Sequence, residues 1–126
     1  MSVADLRKNK TMANLLDGLE ASKDIGHYGR LVFTIVARHF LSEAEAIAYL
    51  QKDPDFSESE AKALYQQVEA KNYNPPRREK ILEWQQHQVF TICPNAEDPD
   101  AGNIYQDLQF PSEIYEQISE YHQQQA

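Results

Sequence analysis

Residues 24–40 read DIGHYGRLVFTIVARHF, the most hydrophobic stretch of the chain, entered through histidine, glycine and arginine. From Ile25 or His27 to Phe40, the residues Leu31, Val32, Phe33, Ile35 and Val36 cover most of a helical circumference, as in a helix surrounded by protein. The β-branched residues also suit a strand, but the length of the segment and the capped helices after it favour a central buried helix, with Asp24 available as its cap. At about 100° per residue, Arg30, Thr34 and Arg38 fall on one narrow stripe of that helix, with His27 at its start. Two readings suit the stripe. It could be an anion site, because arginine offers a planar fork for phosphate oxygens, histidine can donate and a helix N-terminus adds unpaired N–H groups. Gly29 would let a ligand or a second backbone approach. Alternatively, the arginines pair with carboxylates inside the fold, the usual way to bury one, and His27 is a helix-end residue.

Outward from this segment the pattern is helical throughout. Residues 3–22 place Leu6, Met12, Leu15, Leu16 and Leu19 at spacings of three and four, which predicts one amphipathic helix. Ser42 with Glu45, and Ser57 with Glu60, are two capping boxes. The first leads into Ala46, Ile47 and Leu50, the second into Ala61, Leu64, Tyr65 and Val68. Pro54 separates these helices, and Phe56 before the Ser57 cap suits a hydrophobic staple. A further helix is expected from near Pro76 through Ile81, Leu82 and Trp84, because proline is tolerated in a first turn. Residues 89–93, VFTIC, are strand-like but too short to form a sheet alone. PNAEDPDAGN reads as a turn-rich loop, and Ile114, Tyr115, Ile118 and Tyr121 as a last helix after Ser112. The expected fold is all-α, a compact bundle of five to six helices in one domain spanning residues 1–126, with an acidic C-terminal segment from about residue 96.

The net charge of −8 is unevenly placed: all 12 Lys and Arg lie in residues 1–80 among 12 acids, and residues 81–126 hold the other 8 acids alone. Binding of duplex nucleic acid through bulk charge is excluded at a pI near 4.9, since that affinity comes from clustered basic residues. Phosphate contact must be local. Its second candidate location is Arg77-Arg78-Glu79-Lys80, the densest basic group, equally readable as an exposed helix start. Tyr65, Tyr73 and Trp84 could stack bases or simply fill the core. The acidic end would instead suit a basic partner, which makes a helical adaptor domain the other functional class.

Catalytic and metal chemistry find little support. His39, His87 and His122 have no metal spacing, and Cys93 lies six residues from His87 with no second ligand pair. No local Cys/His nucleophile signature or phosphate-binding glycine loop is present, and the acids of EDPD lack calcium-loop spacing. No run reaches the roughly 18 apolar residues of a membrane span and the first ten residues lack a signal-peptide core, so a soluble, cytoplasmic protein with no membrane contact is expected. Catalytic activity of its own is not expected.

The order of these features, His27-Tyr28-Gly29-Arg30, then EAEAIAYL before PDF, then Tyr73-Asn74-Pro75-Pro76 and finally Cys93-Pro94, resembles the helical C-terminal domain of the archaeal and eukaryotic DNA primase large subunit. The likeness covers about residues 25 to 95. It implies a module that assists primer synthesis, gripping single-stranded template and a nucleoside triphosphate beside a catalytic primase or polymerase subunit. It places His27 and Arg30 on the family's basic motif, Cys93 on one cysteine of a four-cysteine iron–sulfur cluster, and Arg78 about where another cysteine stands. One cysteine cannot hold that cluster. The expected protein is a cluster-free, non-catalytic relative without cofactor, contacting phosphate through His27, Arg30, Arg38, Arg77 and Arg78.

Overall fold

The computed structural model describes residues 2–94, 97 and 103–125, with side chains as far as residue 118. Among these residues every regular element is helical: α1 (Val3–Leu6), α2 (Lys10–Glu20), α3 (Gly26–Ala37), α4 (Glu43–Leu50), α5 (Glu58–Lys71), α6 (Arg78–Gln85), α7 (Ile104–Asp107) and α8 (Ser112–Gln125). The all-α expectation holds. The strand-like residues 89–93 run as bends, and the acids of EDPD beyond Glu97 and the side chain of His122 fall outside the described residues.

The helix expected over residues 3–22 is instead two helices, α1 and α2, because Asn9 breaks it. The Asn9 side chain accepts the Met12 N–H at 3.0 Å and so caps α2, the competition with the backbone that keeps asparagine out of helix interiors. Asn9 is fully buried, and its amide donates to Asp107 at 3.0 Å, which ties this junction to α7. Both capping boxes form as the sequence requires, each serine accepting the N–H of its N3 glutamate and each glutamate accepting the serine N–H.

α3 is the axis of the core. Val32, Phe33 and Val36 have no exposed surface, and around them lie Leu15, Leu16 and Leu19 of α2, Ala46 and Leu50 of α4, and Ala61 and Tyr65 of α5. Each fully buried valine, leucine or phenylalanine side chain among these contributes about 1.5–3 kcal/mol by leaving water. The chain then folds back: Ile92, Ile104, Leu108, Phe110 and Ile114 join the same cluster. The acidic C-terminal segment is thus amphipathic, with Glu113 and Glu116 outward and Ile114 inward.

His39, in the turn after α3, is largely enclosed and meets Phe110 edge-on at 5.6 Å, and its Nε2 has no partner among the described residues. Burial, reinforced by the charge of Arg38, lowers its pKa from 6.5 to about 4. A neutral histidine in the native state and a protonated one in the unfolded chain mean that stability is complete above pH 6.5 and is lost as pH falls toward 4. After allowance for solvent, denaturant titrations at pH 7 and pH 4.5 should differ by roughly 1–2 kcal/mol from this group. In His39→Leu that part of the difference should vanish; an unchanged pH dependence would remove His39 as its source.

Candidate functional site

The polar stripe of α3 is occupied by the protein itself. Arg30 is 12% exposed, and its Nη1 donates to Asp53 at 3.0 Å and Asp24 at 3.2 Å, while the guanidinium lies 4.6 Å from the Phe56 ring centroid. Asp53 is buried and also accepts the N–H groups of Ile25 at 3.0 Å and Asp55 at 2.9 Å. Two turns later Arg38 Nη2 donates to Asn72 Oδ1 at 2.7 Å and to the Tyr73 carbonyl at 3.3 Å. Between them Thr34 is buried and donates to the Arg30 carbonyl. The stripe therefore lies along the seam with α5, one arginine at each end of that helix. Burial lowers the pKa of Arg38 from its ordinary value, with Tyr65 and Glu69 opposing, and its Nε has no partner among the described residues.

The α3 N-terminus is closed in the same way. Gln88, arriving from the segment after α6, accepts the Tyr28 N–H at 2.9 Å and donates to the carbonyls of Ile25 at 2.9 Å and Phe90 at 3.0 Å. Asp24 accepts the Gly26 N–H at 2.9 Å. These acceptors take donors that an anion would need. His27 is exposed, edge-on to Tyr28 at 5.2 Å. Gly29 is buried, and its bare Cα admits Ile25 and Leu15, not a ligand. The structure thus does not bring His27, Arg30 and Arg38 together as one open cluster.

What it does open is a groove on the neighbouring face of α3. Leu31 and Ile35 form its floor, the link Tyr73, Asn74 and Pro76 one wall, and Arg77, Lys80 and Trp84 of the α6 region the other, around a cavity of about 470 Å³. The left-handed conformation of Asn72 (φ 50°) at the end of α5 turns the chain into that link, and the prolines keep it extended up to α6. Trp84 is backed by Tyr28, stacked at 5.5 Å and 16°, and Lys80 Nζ lies 5.7 Å from the Trp84 ring centroid. Arg38 holds the backbone of Tyr73, so the one stripe residue near the groove acts on its wall.

On the far side of Arg77 lies a second cavity of about 390 Å³, bounded by Arg77, Arg78, Glu79, Asn103, Tyr105, Tyr115 and Ile118. The Tyr105 hydroxyl donates to the Pro75 carbonyl, and burial pushes that phenol up to about 12, so it stays a donor at any ordinary pH. The Tyr115 hydroxyl accepts the Phe110 N–H at 3.1 Å. Arg77 and Arg78 thus flank cavities that the sequence did not disclose, because Leu31, Ile35 and Tyr115 read as core at helical spacing. Of the aromatics named from sequence, Tyr65 is core, whereas Tyr73 and Trp84 line the groove.

Among the described residues no three His, Cys, Asp or Glu side chains converge as metal ligands. Cys93 is buried, and its N–H donates to Gln85 at 2.8 Å. With arginine at residue 78, the donor set does not fit a four-cysteine cluster. Scanned against family models, curated proteins and solved structures, the chain matches none of them, so the primase likeness rests on the motif order alone.

Proposed function

We propose that the protein is a non-catalytic binding module for a nucleotide or single-stranded nucleic acid, with its site at the groove beside Arg77 and not at the α3 N-terminus. The observation that carries the reading is the joining of aromatic faces, Tyr73 and Trp84, with the basic side chains Arg77 and Lys80 in the lining of one groove, with Arg78 in the adjoining cavity. Bases stack on aromatic side chains for about 1–3 kcal/mol each, without regard to sequence, and neighbouring cations take the phosphates. An acidic chain can bind a single strand in this way only at short range, so affinity should be modest and salt-sensitive. The assisting role in primer synthesis, beside a catalytic primase or polymerase subunit, is the version of this reading that the primase resemblance favours.

Anisotropy titration of a labelled oligothymidylate at low salt tests it. Arg77→Ala should weaken binding about tenfold and reduce the salt slope by about 0.7, the value for one phosphate on a single strand. Absence of binding by the unaltered protein at low salt would refute the reading. Preferential binding of oligolysine would favour the adaptor function through the acidic segment, and preferential binding of an acidic peptide would assign the groove to a protein partner.

A further inference from the structure

Two of the three large apolar side chains exposed among the described residues are Tyr73, 38% exposed, and Tyr115, 41% exposed. Tyr73 lines the groove, Tyr115 lines the second cavity, and Arg77 belongs to both. Resting on the binding function just proposed, we infer that the two cavities are successive base subsites of one strand, with Arg77 on the phosphate between them, so that the ligand is at least a dinucleotide and not a single nucleotide.

Three features support this. Each cavity, at about 470 and 390 Å³, has the size of a small-molecule site. Each has an aromatic face fixed before the ligand arrives. Trp84 is backed by Tyr28, and the hydroxyls of Tyr105 and Tyr115 are anchored to the Pro75 carbonyl and the Phe110 N–H. Pre-set rings lose little freedom on binding, which favours affinity. Finally, the charge falls where the cavities meet: Arg77 lines both, Arg78 lines the second beside Glu79, and Lys80, 3.7 Å from Glu83, lines the groove, so Arg77 is the cation that both cavities share. A mononucleotide would fill the groove, where Tyr73 and Trp84 offer two rings, and leave the ring of Tyr115 in water. A strand passing the edge uses both faces and places its internucleotide phosphate, its one obligatory negative charge, against Arg77.

The test compares deoxythymidine monophosphate with the dinucleotide d(TpT) by calorimetry or competition. The unaltered protein should bind the dinucleotide at least tenfold more tightly. Tyr115→Ala should erase that gain while leaving the mononucleotide unchanged, and Tyr115→Phe, which keeps the ring, should retain most of it. Circular dichroism of each variant separates a lost fold from a lost subsite. Equal affinity for the two ligands, or a Tyr115→Ala effect identical on both, would overturn the two-subsite arrangement while the groove still binds. Failure of both ligands to bind the unaltered protein would overturn the binding function itself, and this inference with it.

Discussion

Asp53→Ala should destabilise the protein by about 3–5 kcal/mol, the cost of leaving one partner of a buried ion pair without the other. That is a large share of the roughly 5–15 kcal/mol that holds a domain together. The substitution removes the acceptor for Arg30, which is 12% exposed and would keep only the half-exposed Asp24. It also strands the N–H groups of Ile25 and Asp55. The carboxylate thus joins the α4–α5 link to the start of α3, and its loss loosens both. Chemical denaturation would show a lower midpoint at nearly constant slope. Replacing the pair together, Arg30→Met with Asp53→Leu, should recover much of the loss, since two apolar groups need no partner. A loss under about 1 kcal/mol for Asp53→Ala would mean that the pair is solvated, because exposed pairs contribute no more than that.

Gly26→Ala should cost about 2–4 kcal/mol, with backbone strain and lost hydrogen bonds both contributing. Gly26 has φ of +78°, and a Cβ there would meet Gln88 Oε1 at 2.5 Å and Cδ at 2.6 Å. Gln88 would have to withdraw, giving up its bonds to the Tyr28 N–H and the Ile25 and Phe90 carbonyls. Gln88→Ala alone forfeits the same bonds without the strain. The double variant should therefore be more stable than the sum of the single losses, because the two share one mechanism. Strict additivity in denaturation experiments would show that Gln88 does not close the helix end.

These two positions explain why the opening segment was only partly legible. Its helical character was evident from Leu31 to Val36, and the capping boxes at Ser42 and Ser57 were complete in the sequence because both partners lie three residues apart. The stripe was equally evident as geometry, yet its role depended on Asp53, 23 residues beyond Arg30, and on Gln88, 60 beyond Tyr28. No local pattern encodes partners at that range. The split at Asn9 was readable in principle, since asparagine before a helical run is a cap, but the leucine spacing on both sides concealed it. The groove was the least legible feature. Its wall residues Tyr73, Trp84 and Arg77 stood out by type, whereas Leu31 and Ile35 carry the same periodic signal as true core. Only the route of the Asn72–Arg77 link decides that they face a cavity.

Trp84 is the one tryptophan of the chain and lies in the groove wall, so its fluorescence reports the site directly. Titrating the protein with unlabelled oligothymidylate at low salt, and repeating the titration with His27→Ala and Arg77→Ala, tests whether binding belongs to the groove or to the α3 N-terminus. If the groove is the site, Trp84 is quenched saturably, and the quenching is reversed by salt, weakened about tenfold by Arg77→Ala and untouched by His27→Ala. Quenching that survives Arg77→Ala and disappears with His27→Ala would contradict that placement.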